Sequence, residues 1–217
     1  MTAGHRTPGG RHGSAGRGAA IRSVVGGVIA EAMRMASAGG VVVLDDWTPE
    51  GELAYEWLVE SLGEPRVWRG AALASNVHGK DRADSQMLAA WHFATDRAGL
   101  IAHPATKTAL LLGGPLPRAD LFPLGDLYAS QVVQLAGGWT VPGELEPAVH
   151  RIGGVDVLDA ALARLVDGRE SPSAALAALG PDADEILRLY ERGRYYRLRP
   201  GLVPKLGART IGVDLFD

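Results

Sequence analysis

The chain has 217 residues, and its 22 Lys and Arg against 25 Asp and Glu give a formal net charge of −3. This balance predicts neither a nucleic-acid nor a membrane-surface partner. The absence of cysteine excludes disulfides, zinc-thiolate sites and cysteine nucleophiles, and it favours a cytoplasmic location. No apolar stretch approaches the roughly 18 residues of a membrane span.

Residues 1–20 are rich in Gly and Arg and are predicted to be a disordered tail before one domain over 21–217. Apolar periodicity and turn residues predict the elements of that domain in chain order. They are a helix over 21–37, a buried strand over Val41–Leu44, a helix over 49–62, a short strand over Arg66–Arg69, a helix over 84–97, a strand over Gly99–Ala102, a helix that starts near Lys107, a helix after Asp126, and C-terminal helices over about 156–167, 172–180 and 183–192.

Three local signals give these elements detail. In the helix over 84–97, the spacing of the apolar residues predicts that Leu88 and Trp91 face inward, together with Met87 and Ala94. Asp126 is predicted to be the N-cap of the helix that Gly137 ends. Strands that alternate with helices predict an α/β fold, a Rossmann-like three-layer sandwich with a parallel sheet and a helical C-terminal part.

Lys107 is the best candidate for a ligand contact on position alone. It follows a predicted strand and begins a helix, so it lies at the carboxyl end of a parallel strand, where ligands bind. A lysine there can meet a phosphate near the helix N-terminus. The alternative, an exposed lysine at a helix start, stays open at this point.

The stretch FPLGDLYASQV (122–132) resembles the P-x-G-D-L-x-K-x-Q-V motif of ammonia-dependent NAD synthetases. GLIAHPATKTALLL (99–112) is similar to the L-V-x-G-T-x-N-K-x-E-x-x-L-G segment of that family. Ala119-Asp120 matches the end of its G-D-G-G-A-D run, and Val141-Pro142 matches a later Val-Pro pair. The resemblance is most specific between residues 99 and 142.

The resemblance implies a nucleotide α-hydrolase-like fold, a homodimer, and ATP-dependent conversion of deamido-NAD and ammonia to NAD with Mg. The segment 46–51 lies where the family has its S-G-G-x-D-S pyrophosphate loop. The residues that the resemblance assigns to nucleotide binding are Asp46, Trp47, Thr48, Glu50, Gly51, Pro104, Thr106 and Lys107, with Lys107 and Asp120 as catalytic residues and Glu50 as the metal ligand.

The loop itself departs from the family pattern. A phosphate cradle needs inward N–H groups and close backbone approach, yet Trp47 and Thr48 replace the two glycines and Pro49 lacks an N–H. Asp45 and Asp46 add negative charge; a carboxylate 4 Å from a phosphate charge costs about 4 kcal/mol at an effective dielectric of about 20. A second metal carboxylate of the family falls on Ala109.

Three hypotheses follow from this sequence. In the first, the chain is a catalytically impaired homologue with a binding, regulatory or partner-subunit role, in which adenine nucleotide or deamido-NAD is the ligand. In the second, it is an active ATP-dependent NAD synthase or related amide ligase with a rebuilt loop. In the third, it is a scaffold that uses the basic tail. The loop chemistry favours the first.

Overall fold

The computed structural model describes residues 12–44, 48–70, 82–112, 119–143, 145–197 and 201–206, with the backbone alone at 12–17, 82–84 and 195–196. Residues 1–11 of the expected tail and Asp45, Asp46 and Trp47 of the expected loop lie outside this part of the chain.

A parallel sheet forms the centre of the molecule. Its strands are β1 (Val41–Val43), β2 (Val67–Arg69) and β3 (Leu100–Ala102), in the order β2-β1-β3. Val41 pairs with Val67 on one side and with Leu100 on the other. Single bridges to Leu121 and then Leu202 extend the sheet beyond β3. The short, fully buried β1 explains the unbroken valine run, since a central parallel strand is covered on both faces.

Helices cover both faces of the sheet, as a three-layer α/β fold requires. The described helices are α1 (His12–Met35), α2 (Pro49–Leu62), α3 (Arg82–Asp96), α4 (Lys107–Leu112), α5 (Ala129–Ala136), α6 (Glu146–Arg151), α7 (Val155–Val166), α8 (Pro172–Ala175) and α9 (Ala183–Arg197), with 3-10 turns at Glu64–Arg66 and Ala177–Asp182. Apolar residues of α1, α2 and α5 pack with Val41 and Val43 on one face. Ala90 and Ala94 of α3 pack with Val42 and Ile101 on the other. The predicted fold class is confirmed.

The outer side of α3 differs from the prediction. Leu88 and Trp91 were expected to face inward, but they are 56% and 54% exposed. Ala94, which was also expected to face inward, is buried, and Ala90 is buried beside it. The small alanines let α3 lie close to the sheet, and this choice of face leaves the two large side chains at the surface.

The C-terminal helices form a second core around α4. The buried side chains of Leu111, Leu158, Leu162, Ile186 and Leu189 belong to this cluster. Arg197 donates to the carbonyl of Leu111 at 2.6 Å and so satisfies a carbonyl at the C-terminal end of α4. The helical C-terminal part therefore packs directly onto the segment that follows β3.

Several element boundaries depart from expectation. α1 begins at His12, so residues 12–20 are helical rather than part of a disordered tail. α6 was not predicted, and α9 runs to Arg197 instead of stopping near 192. α8 ends at Ala175, well before Gly180, and a 3-10 turn follows it. Among the described residues, no helix is both long and apolar enough to cross a membrane.

Candidate functional site

The first turn of α2 is capped from within. Thr48 is its N-cap, and the Thr48 hydroxyl accepts a hydrogen bond from the backbone N–H of Gly51 at 3.1 Å. Pro49 stands at the first helical position and has no N–H to offer. Thr48 and Gly51, two residues assigned to nucleotide binding, are therefore hydrogen-bonded to each other.

Two carboxylates lie beside this helix start. Glu52 and Glu56 line a cavity of about 390 Å³ next to Thr48 and Pro49, together with Leu135 of α5. The Glu52 carboxylate forms an ion pair with Arg69 at 2.8 Å, so its charge is balanced within the protein.

Glu50, the expected metal ligand, is buried and already engaged. Glu50 is only 8% exposed, and its Oε2 accepts a hydrogen bond from the backbone N–H of Thr140 at 3.1 Å. Burial raises the pKa of the Glu50 carboxyl, against the lowering effect of its hydrogen bonds. Among the described residues, no group of three or more His, Asp or Glu side chains could hold a metal ion. This hydrogen bond from Thr140 to Glu50 connects α2 to the segment that follows α5.

Lys107, the expected phosphate contact, lies inside the protein. It is 2% exposed, and its Nζ is 2.8 Å from Oδ1 of Asp167 and 3.8 Å from Oδ1 of Asp126. The ammonium also lies 4.9 Å from the centre of the Tyr128 ring. The Tyr128 hydroxyl donates to the other oxygen of Asp167 at 2.8 Å. The lysine charge is therefore balanced by carboxylates of the protein.

Pro104 and Thr106 lead into α4 and are also buried. The Thr106 hydroxyl accepts from the backbone N–H of Ala109 at 3.2 Å, which caps the start of α4. Ala109, where the family has a metal carboxylate, is 7% exposed and packs in the core. These residues form a helix start that faces the protein interior.

Asp126 is not the N-cap of α5, so that prediction is wrong. The N-cap is Tyr128, and Asp126 is a buried residue whose Oδ2 accepts from the backbone N–H of Leu206 at 2.6 Å. The N-terminal amides of α5 are satisfied from further away in the sequence. The Thr108 hydroxyl accepts from Ala129, and the Asp159 carboxylate accepts from Ser130.

Asp120, the second expected catalytic residue, completes the sheet. Its Oδ2 accepts from the backbone N–H of Ile101 at 2.9 Å, and its own N–H donates to the Ile101 carbonyl at 2.8 Å. The Asp120 carbonyl accepts from Leu202 at 2.8 Å. The carboxylate takes the place that a backbone carbonyl holds in a strand ladder. The structure puts Asp120 beside the middle of β3, whereas Lys107 follows the end of that strand.

His103 is a residue that sequence reasoning missed at the carboxyl end of β3. Its Nδ1 accepts from the backbone N–H of Ala105 at 3.0 Å, so the proton of the neutral ring is on Nε2. Burial lowers the pKa of His103 to about 4, which keeps the ring neutral. The position directly after a strand was a signal that could have identified it.

The described strands and helices define an α/β protein of the Rossmann-like class. No protein-family model matches the chain. Its sequence is 27% identical over 168 residues to an NH3-dependent NAD+ synthetase of Chlorobium phaeobacteroides. The aligned region covers 67% of this chain and 59% of that protein. The chain thus matches less than two thirds of the length of that relative.

One solved structure agrees with this chain in fold. An NH3-dependent NAD synthetase from Campylobacter jejuni, in complex with a nitrate ion, matches with a TM-score of 0.55 at 15% identity, over 85% of this chain and 98% of that one. A glutamine-dependent NAD+ synthetase from Acinetobacter baumannii, in complex with ADP, gives a TM-score of 0.46 at 16% identity, over 97% of this chain and 50% of that one. The chain is thus similar in sequence to one NH3-dependent NAD+ synthetase and in fold to another.

Proposed function

We propose that this NAD synthetase-like chain is catalytically impaired and acts through binding, as a regulatory or partner subunit. The observation that carries the proposal is the position of Lys107. Its ammonium lies 2.8 Å from the Asp167 carboxylate and is almost completely shielded from solvent. A phosphate at this lysine would have to compete with a carboxylate that already balances its charge.

Two further features support the same conclusion. The Thr48 hydroxyl and Pro49 leave fewer free N–H groups at the start of α2, and Glu50 uses its carboxylate to hold Thr140. The buried Ala109 contributes no metal ligand. Mg-ATP therefore does not fit the described residues of this edge, and we derive no reaction step through it.

The decisive assay is NAD formation. Purified protein is incubated with deamido-NAD, Mg-ATP and ammonia, and NAD and AMP are measured by mass spectrometry. The Chlorobium phaeobacteroides enzyme serves as the positive control. We expect no NAD above the level without protein. Formation of NAD would contradict the proposal and would support an active ATP-dependent amide ligase with a rebuilt loop.

A binding role is tested by ligand-dependent stability. ATP, AMP and deamido-NAD are each titrated with and without Mg while Tm is recorded. A ligand at 100 times its Kd stabilises the folded state by about 2.7 kcal/mol. We expect AMP or deamido-NAD to raise Tm and Mg to add nothing. Stabilisation that requires Mg and ATP together would argue for the active alternative.

The family resemblance also leads us to propose a homodimer in the cytoplasm. Light scattering after size-exclusion chromatography should give twice the chain mass of 22.8 kDa. A mass of one chain at all concentrations would reject the dimer without bearing on the site.

A further inference from the structure

We propose that a cleft between α3 and the outer edge of β3 binds a small aromatic ammonium ion. This site is separate from the strand-end site, so it extends the proposed function and does not depend on it. The observations are an open cavity, an exposed tryptophan and a fixed carboxylate, and together they select an organic cation with a flat apolar body.

The cleft has the size of a small-molecule site. Its volume is about 700 Å³, within the range of about 300–1,000 Å³ that is typical of ligand pockets. Met87, Leu88 and Ile101 supply much of its apolar lining. An occupant would cover these apolar side chains together with Trp91, which also lines the cleft.

Asp120 gives the cleft its charge. It is the one charged residue among the described residues that line the cavity. The hydrogen bond from Ile101 fixes Oδ2, while Oδ1 has no donor among the described residues. Because its backbone N–H and C=O are both bound within the sheet, the carboxylate is held in place before any ligand arrives. Asp120 is exposed, so its fixed carboxylate complements a cation with the modest strength of a surface charge.

Trp91 gives the cleft an aromatic wall. The indole lines the cleft and is 54% exposed, with its ring 5.1 Å from that of His92 in an edge-on arrangement. Tryptophan stacks against a flat aromatic ring. An ammonium group at Asp120 and an aromatic body at Trp91 would use both walls.

The probes are phenethylammonium and its neutral counterpart, 2-phenylethanol. Binding to the full chain is measured by NMR, from the indole N–H signals and from ligand-observed spectra. We expect phenethylammonium to bind about threefold more tightly than 2-phenylethanol, from one partly exposed ion pair with Asp120. Equal affinity for the two probes would overturn the proposal, as would no binding of either.

The variants separate charge from fold. Asp120→Asn keeps an oxygen for the N–H of Ile101 but removes the charge, so it should abolish the preference for the cation and leave 2-phenylethanol binding unchanged. Trp91→Leu should weaken both probes, because it removes the ring at an exposed position. If Asp120→Asn binds phenethylammonium as the unmodified chain does, the cleft is not a cation site.

Discussion

Replacement of Lys107 by methionine tests whether this residue is structural. The substitution keeps the length of the side chain and removes its charge. It leaves Asp126, whose side chain has no exposed surface, without its ammonium neighbour, while Asp167 retains the Tyr128 hydroxyl. Removal of one partner from a buried ion pair costs about 3–5 kcal/mol. We expect a loss near the lower end, about 3 kcal/mol, because Asp167 is 33% exposed and can be rehydrated.

Urea and thermal unfolding give the measurement. For a chain of this size a loss of about 3 kcal/mol lowers Tm by about 6–12 °C. Lys205→Met is the matched control, since Lys205 is exposed, and it should change stability by less than about 0.5 kcal/mol. If Lys107→Met keeps the stability of the unmodified chain but loses stabilisation by ATP, Lys107 faces a ligand and the structural interpretation is wrong.

Three further predictions concern stability. Glu50→Gln keeps an acceptor for Thr140 and should raise stability at pH 7 but not at pH 3 in urea melts, since the raised pKa of Glu50 makes its ionised form unfavourable in the folded chain. His103→Gln should flatten the pH dependence of stability between about 4 and 6.5. Its lowered pKa means that stability of up to about 3 kcal/mol is present above pH 6.5 and is lost as the pH falls towards 4; an unchanged pH profile in the variant would exclude this role. Gly193→Ala should cost about 1–3 kcal/mol by thermal melting, because a Cβ there would lie 2.6 Å from the carbonyl oxygen of Leu111, and an unaltered Tm would show that α9 can move away from α4.

The fold could be predicted because its signals are local. Pro49 at the first turn and Gly63 at the end gave the exact bounds of α2, and the valine run gave β1. The start of α5 could not be predicted in the same way. Its amides are bound by Thr108 and Asp159, and the distance of these residues along the chain hides them from a search for local caps.

The site was harder to predict because Lys107 and Glu50, which were expected to face a ligand, are buried and bound to other parts of the protein. The strand-end position of Lys107 was correct, but the carboxylate that pairs with it, Asp167, lies 60 residues further along. Trp91 was assigned to the core because it shares an apolar helical spacing with Leu88 and Ala94. Packing against the sheet buries Ala94 with Ala90, and this orientation of α3 leaves Leu88 and Trp91 at the surface.

We propose that the edge of the sheet after β1 and β3 does not bind a triphosphate. A crystal structure of the protein soaked with Mg and a non-hydrolysable ATP analogue tests it most directly. The account predicts that Thr48 still caps Gly51 and that the ammonium of Lys107 still contacts Asp167. A triphosphate at the start of α2 with a cation on Glu50 would contradict it.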